Sequence, residues 1–210
     1  MNIDQEVLDF IIYLIKSHKE NLKKDNLQDY SVKGSAKYLL SQTIRQMYIP
    51  YENMYVSEGA LALWQEYISD DIKTKSYRDS ITCKKDWTNR PKYTGAKKTY
   101  ETIEKTPAGS SFAFNEVFHD EHIIPVSDII NILLDLPLED NNSDYEKVKA
   151  VLKNLCVCKI LKSENIELNK VGKYKRKDNE RYLSVDEILS NLYKKAKINK
   201  VYKYSEIDSL

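Results

Sequence analysis

The sequence predicts an α+β fold in which helices outnumber strands. Apolar residues recur at helical spacing through the N-terminal third of the chain, whereas residues 112–126 have an extended pattern and residues 155–161 form a short apolar run between two helical segments. The chain has 210 residues, of which 41% are hydrophobic and 31% are charged, so it holds enough apolar material for one domain with a core.

The N-terminal part of the chain is predicted to be a helical layer. Asp4 and Ser35 are placed to cap its first two helices, and Pro50 would end the second. We therefore assign residues 1–75 to this layer, in which the lone His18 is expected to be solvated. The predicted helices cover residues 3–23, 35–49 and 58–70.

A basic segment follows over residues 76–111, and it is predicted to be loop-rich because prolines and glycines recur and apolar positions are few. Trp87 and Tyr93 lie among basic residues that suit contact with the phosphates of a nucleic acid. A solvated charged loop is the alternative explanation. The basic residues are Lys84, Lys85, Arg90, Lys92, Lys97 and Lys98.

The second half of the chain alternates between helical and extended patterns. Residues 112–126 are expected to be extended, and a strand is expected over residues 155–161. Ser127, Ser143 and Ser163 are placed to begin three of the helices in this half. The predicted helices cover residues 127–136, 143–155, 163–170 and 184–196.

The number of cysteines and the length of the apolar runs indicate the cellular compartment in which the protein is expected. Cys83, Cys156 and Cys158 are an odd number without a CxxC spacing, which favours a reduced, cytoplasmic protein without a cysteine zinc site. Cys156 and Cys158 are expected to pack in the core. The longest apolar run, residues 10–15, is too short to span a bilayer, so no membrane partner is expected.

The most distinctive stretch is 118-FHDEHIIPVSDIIN-131, which holds two of the three histidines of the chain. His119 and His122 flank Asp120 and Glu121. An imidazole can take a proton from water near neutral pH, and a carboxylate is a hard ligand for a divalent metal ion. A metal beside a general base provides the parts needed to hydrolyse a phosphodiester. An ordinary solvated turn is the alternative explanation.

A second oxygen ligand would have to come from elsewhere in the chain. The predicted helix over residues 163–170 carries Glu164, Asn165 and Asn169, and the two asparagines lie four residues apart on one helical face. The sequence leaves open which of the three is the second ligand. His119 has no assigned role, because strand alternation puts it on the opposite face from His122.

Three elements in order resemble the HNH, or ββα-metal (His-Me finger), nucleases. Residues 121–125, Glu-His-Ile-Ile-Pro, resemble the first element, in which an acid–histidine pair ends a strand. Residues 154–158 resemble the second strand, and the helix over residues 163–170 resembles the closing helix. The resemblance covers residues 112–172.

The resemblance implies a role for each matching residue. His122 would be the general base that activates the attacking water, and Glu121 would be a metal ligand. Asn165 would be the second ligand, where the family has histidine or asparagine. Asn154 would hold the loop and orient the histidine, and Lys170 would contact phosphate.

The resemblance also implies a ββα-metal core inside a mainly helical domain, with one Mg²⁺ per site, or Mn²⁺ in its place. The implied activity is cleavage of double-stranded DNA by a homodimer, as in a type II restriction endonuclease. Residues 173–210 would form a C-terminal basic segment and helix. Its basic residues beside the core are Lys173, Lys175, Arg176 and Lys177.

The sequence departs from the family in two ways and leaves other functions open. The linker before Asn154 is long and helical, and the paired CxxC zinc knuckles of many members are missing. The alternatives are a phage, homing or defence nuclease or a toxin, a nucleic-acid-binding module with an inactive site, and a helical interaction protein.

Overall fold

The computed structural model describes residues 3–23, 35–74, 91–94, 97–100, 117–139, 142–172 and 184–209. Its helices are α1 (Gln5–Lys23), α2 (Ala36–Gln46), α3 (Glu58–Tyr67), α4 (Val126–Asp135), α5 (Ser143–Leu152), α6 (Lys162–Lys170) and α7 (Val185–Ile188), which continues as a π-helical turn, Leu189–Tyr193. Its strands are β1 (Met54–Ser57), β2 (Pro91–Thr94), β3 (Lys97–Tyr100), β4 (Phe118–His122), β5 (Val157–Leu161) and β6 (Val201–Lys203). The predicted α+β class is confirmed.

Four of these strands form one mixed sheet in the order β4-β5-β1-β6. β5 pairs antiparallel with β4 and parallel with β1, and β6 pairs antiparallel with β1. The remaining two strands, β2 and β3, form a separate antiparallel pair. These two short strands lie within residues 76–111, which are predicted to be loop-rich, and the rest of that segment lies outside the described residues.

The four-stranded sheet separates two hydrophobic clusters. Cys158 and Ile160, from one face of β5, belong to the larger cluster with residues of α1, α2, α4, α5 and α6. Leu161, from the other face, belongs to the smaller cluster with Trp64 of α3 and Phe118 of β4. This division follows from strand alternation, which sends successive side chains to opposite faces.

The N-terminal helices begin where the sequence predicts. The backbone N–H of Glu6 donates to the Asp4 carboxylate over 2.8 Å, and that of Tyr38 donates to Ser35 Oγ over 3.1 Å. These bonds satisfy amide groups that a helix start leaves without an intrahelical partner. α2 ends at Gln46, short of the predicted residue 49, because Met47 adopts extended backbone with ψ of 142°.

The predicted capping roles of three serines in the second half are wrong, although α5 does begin at Ser143 as predicted. Ser127, Ser143 and Ser163 all lie inside the first turn of their helices. The side chain that satisfies the start of α6 is Glu164, whose Oε2 accepts from the backbone N–H of Leu161 over 2.8 Å. Ser184, by contrast, caps α7 with its hydroxyl.

Candidate metal and histidine site

The strands β4 and β5 and the helix α6 form a strand–strand–helix unit. β4 pairs antiparallel with β5, with Glu121 opposite Cys158 and His122 opposite Val157. α6 begins at the residue after β5 and packs against both strands. The helices α4 and α5 lie between the two strands in sequence, as the long predicted linker required.

His119 and Glu121 project from the same face of β4 and contact each other. The distance between His119 Nε2 and Glu121 Oε2 is 2.9 Å, which is a hydrogen bond. Glu121 is buried, with 4% of its surface exposed, whereas the His119 side chain is 33% exposed. The structure therefore gives His119 a partner that the sequence did not assign.

The helix α6 covers the face of the sheet that carries Glu121. Leu168 of α6 belongs to the same buried cluster as Cys158 and Ile160, and strand register places these two on the face of Glu121. Asn165 precedes Leu168 by three residues, so both lie on the sheet-facing side of the helix. Asn165 and Glu121 are thus brought to the same side of the sheet.

The side-chain oxygen of Asn165 is buried and accepts no hydrogen bond within the described part of the chain. A buried acceptor without a partner costs about 1–3 kcal/mol, and native proteins hold few of them. Because α6 covers the buried Glu121 carboxylate, the Asn165 oxygen is suited to be a second ligand for a hard cation.

The other two candidates for the second ligand have different positions. Glu164 Oε2 accepts from Ser57 Oγ over 2.7 Å as well as from the start of α6. A Cβ on Gly59 would lie 3.0 Å from Glu164 Oε1, so this glycine makes room for the carboxylate. Asn169 is exposed near the end of α6. Of the three alternatives, Asn165 alone has a buried oxygen without a partner in the described residues.

His122 lies at the end of β4 and is half-buried. Strand alternation places its side chain on the opposite face from Glu121, together with Asp120. The pairing of β4 with β5 continues one residue further, because the backbone N–H of Ile123 donates to Cys156 O over 2.9 Å. The structure thus brings His119, and not His122, to the face of Glu121.

A buried ion pair holds the other face of β4. Lys159 Nζ lies 2.6 Å from Asp120 Oδ1, and the Lys159 side chain is fully buried. The same ammonium lies 5.5 Å from the ring centroid of Trp64, within the range of a cation–π contact. The sequence analysis did not predict this pair, although a lysine inside an apolar strand such as 155–161 is a signal that could have found it.

Asn154 stabilises the end of its own helix. Its Nδ2 donates to Ala150 O over 3.3 Å, and the residue is exposed. The loop between α5 and β5 is also held by Asn53, whose Nδ2 donates to Lys153 O over 3.0 Å and to Leu155 O over 3.2 Å. Sequence reasoning missed Asn53, because it lies about 100 residues away from the loop that it holds.

Few of the predicted nucleic-acid contacts fall on described residues. Lys170 is exposed, and its Nζ lies 2.6 Å from Glu167 Oε1 on the same helix. Lys92 lies in β2, of which only the backbone is described. The other predicted contacts lie outside the described residues, namely Lys84, Lys85, Trp87, Arg90, Lys173, Lys175 and Arg176.

The donor set fits a magnesium ion better than a zinc ion. Glu121 and Asn165 offer hard oxygens, and Mg²⁺ is commonly held by one or two protein ligands and several waters. The described residues contain no group of three or more His, Cys, Asp or Glu side chains that could hold a metal. Cys156 and Cys158 are buried free thiols, and burial raises the pKa of Cys156 to about 11.

Comparisons with protein-family models, with curated proteins and with solved structures found no match to this chain. Within the described ranges, no helix has both the length and the apolar character that crossing a membrane requires.

Proposed function

We propose that this protein is a metal-dependent endonuclease that hydrolyses phosphodiester bonds in double-stranded DNA, with a ββα-metal core formed by β4, β5 and α6. The observation that carries the proposal is the buried oxygen of Asn165, on the helix that covers Glu121, which has no partner among the residues that the structure describes. The order of the elements, an acid–histidine pair in a strand, an antiparallel strand and then a helix, supports it.

In this proposal, His122 accepts a proton from the attacking water. The resemblance to the ββα-metal nucleases gives this role to His122, which ends β4. Glu121 and Asn165 would hold Mg²⁺, or Mn²⁺ in its place, and the bound ion would stabilise negative charge on the phosphate and the leaving oxygen. Attack by the activated water on phosphorus then breaks the bond to the leaving oxygen.

DNA would bind through the basic segments that flank the core. The antiparallel pair β2–β3 is a two-stranded ribbon, which is one of the shapes that the major groove admits. Lys92, Lys97 and Lys98 lie in its sequence and would contact phosphates. Recognition of a palindromic site by a homodimer, as in a restriction endonuclease, is the form of the activity that we propose.

Digestion of plasmid and phage DNA with Mg²⁺ or with EDTA tests this function. The wild type is expected to give discrete bands with Mg²⁺ and none with EDTA, and His122→Ala is expected to be inactive. His18→Ala is the matched control, because it makes the same change on α1, about 100 residues before the site in sequence. A smear instead of bands would support metal-dependent cleavage and would exclude cleavage at specific sites. Absence of cleavage with both Mg²⁺ and Mn²⁺, or equal cleavage by His122→Ala, would refute the assignment.

The alternation of Glu121 and His122 favours a second candidate function. Two side chains on opposite faces of a regular strand point away from each other and do not reach one metal ion. Glu121 and His122 could do so only if the backbone turned at the end of β4. A nucleic-acid-binding module without catalysis is therefore the alternative. It predicts that DNA binding, measured by gel shift in EDTA, persists while no variant and no metal gives cleavage.

A further inference from the structure

We propose that His119 is a positioning residue that fixes the Glu121 carboxylate for metal binding. This inference rests on the proposed function, and it adds a residue to which the resemblance gave no role. The acid would bind the ion, and the imidazole would act only through the acid.

The contact between the two side chains supports a positioning role. They stand two residues apart on one face of β4, and 2.9 Å separates His119 Nε2 from Glu121 Oε2. An ionised carboxylate can only accept hydrogen bonds, so the imidazole nitrogen is the donor when Glu121 carries its charge. A carboxylate offers about four lone-pair sites, so accepting a hydrogen bond from an imidazole is compatible with binding a cation.

Burial makes the orientation of this carboxylate important. Glu121 is 4% exposed, and an ionised group in such a place needs a fixed donor to offset the loss of water. Hydrogen bonds to metal-binding carboxylates fix their orientation, and loss of such a partner typically weakens metal affinity 10- to 100-fold.

The opposite face of β4 stabilises the same arrangement. Asp120, between the two residues, is bonded over 2.6 Å to the buried Lys159 of the neighbouring strand. Because this pair anchors Asp120 on its own face, the strand cannot rotate or slip without breaking a buried ion pair. His119 and Glu121 are therefore held toward α6.

Titration calorimetry of Mn²⁺ into the purified chain tests the inference without relying on activity. His119→Ala is expected to weaken Mn²⁺ binding about 10- to 100-fold. His119→Gln carries an amide nitrogen that reaches the position of Nε2, and it is expected to restore most of the affinity. His119→Asn is too short to reach Glu121, and it is expected to bind as weakly as the alanine variant.

Cleavage kinetics provide a second readout. If His119 only positions Glu121, His119→Ala raises the Mg²⁺ concentration needed for half-maximal cleavage, while the rate at saturating Mg²⁺ stays near that of the wild type. Thermal melting of each variant without metal separates this effect from unfolding. If the alanine variant does not fold, the comparison between the glutamine and asparagine variants provides the test.

The outcomes separate this inference from the proposed function. Glu121→Gln is expected to abolish Mn²⁺ binding. If it does while His119→Ala and His119→Asn bind Mn²⁺ like the wild type, the role of His119 is refuted and the metal site stands. If the wild type itself binds no Mn²⁺, or Glu121→Gln binds as well as the wild type, the metal site and the role of His119 are refuted together.

Discussion

At the scale of single residues, the candidate site depends on polar atoms in apolar surroundings. Asn165 keeps a buried oxygen without a partner in the described residues, and Glu121 keeps a buried carboxylate bonded to His119. The unsatisfied oxygen of Asn165 costs stability, and proteins retain such a cost mainly where a ligand or a reaction requires it. The stability of variants at these positions therefore carries information about function.

Asn165→Ala is expected to raise the free energy of unfolding by about 1 kcal/mol or more, because it removes a buried acceptor that no described residue satisfies and introduces a better helix former. The same variant is expected to lose Mn²⁺ binding. Urea unfolding and Mn²⁺ titration measure the two effects.

Asn169→Ala is the matched control for that variant, because it makes the same change at an exposed position one turn along the helix. It is expected to gain only the helix propensity of alanine, about 0.5 kcal/mol, and to bind Mn²⁺ normally. Equal behaviour of the two variants would contradict a ligand role for Asn165.

Lys159→Met is expected to lower the free energy of unfolding by about 3–5 kcal/mol, because it leaves Asp120 buried without its cation. The double variant Asp120→Leu/Lys159→Met removes both charges and is expected to recover most of that loss. Urea unfolding of the wild type and the variants checks both statements, and a double variant no more stable than Lys159→Met would show that the pair is not the cause.

At the scale of elements, the loop that leads into β5 is hydrogen-bonded by a residue from the N-terminal part of the chain. Asn53, at the end of a 3₁₀ turn (Tyr51–Asn53), donates to two carbonyls that flank Asn154. The role of holding this loop, which the resemblance gives to Asn154, is thus shared with a residue of the N-terminal part of the chain. The link lies directly before β5, which itself pairs with β4 and with β1.

Asn53→Ala is expected to lower the free energy of unfolding by about 1–2 kcal/mol, because it removes two side-chain hydrogen bonds. Asn154→Ala removes one exposed bond to Ala150 and is expected to change stability by less than about 0.5 kcal/mol. Urea unfolding compares them. A larger loss for Asn154→Ala would show that Asn154 holds the loop after all.

The elements that the sequence predicted well are those encoded by local patterns. The helix starts at Asp4 and Ser35 are confirmed because a cap needs only a short stretch of chain. The strands β1 and β6, of four and three residues, were missed because so short a run has no clear periodicity. Their pairing is set by contacts between distant segments.

The residue types of the candidate site could be predicted from the sequence, but the side-chain contacts between its residues could not. Glu121 and Asn165 followed from chemistry and resemblance, and the structure places them on the same side of the sheet. The bond between His119 and Glu121 required the side-chain geometry, because spacing alone gives a shared face and not a contact. The buried pair of Asp120 and Lys159 required the strand register.

At the scale of the whole molecule, three buried side chains in or next to the four-stranded sheet have pKa values above their usual range. Burial raises the pKa of Tyr55 to about 12 and that of Cys156 to about 11. Burial, with the charge of Asp120, also raises the pKa of Tyr204 well above its usual value. Each group keeps its proton to higher pH in the folded chain than in the unfolded chain, so stability falls as pH rises through this range.

The wild type is therefore expected to lose stability between about pH 9 and pH 12, by up to about 1.4 kcal/mol per pH unit for each such group. Tyr55→Phe removes one of these groups and is expected to flatten the decline above about pH 10. Tyr13→Phe, at an exposed tyrosine, is the control and should leave the slope unchanged. Urea unfolding at intervals of one pH unit measures how the free energy of unfolding depends on pH. Equal dependence for wild type and Tyr55→Phe would contradict a raised pKa of Tyr55.

The measurement that tests the central claim most directly is the rate at which supercoiled plasmid is nicked, as a function of Mg²⁺ concentration, by the wild type and by Glu121→Gln. The proposed site predicts saturable, Mg²⁺-dependent nicking by the wild type that EDTA stops, and no nicking by Glu121→Gln at any Mg²⁺ concentration. Nicking by Glu121→Gln at the wild-type rate, or no nicking by a folded wild type, would contradict a metal-dependent nuclease at this site.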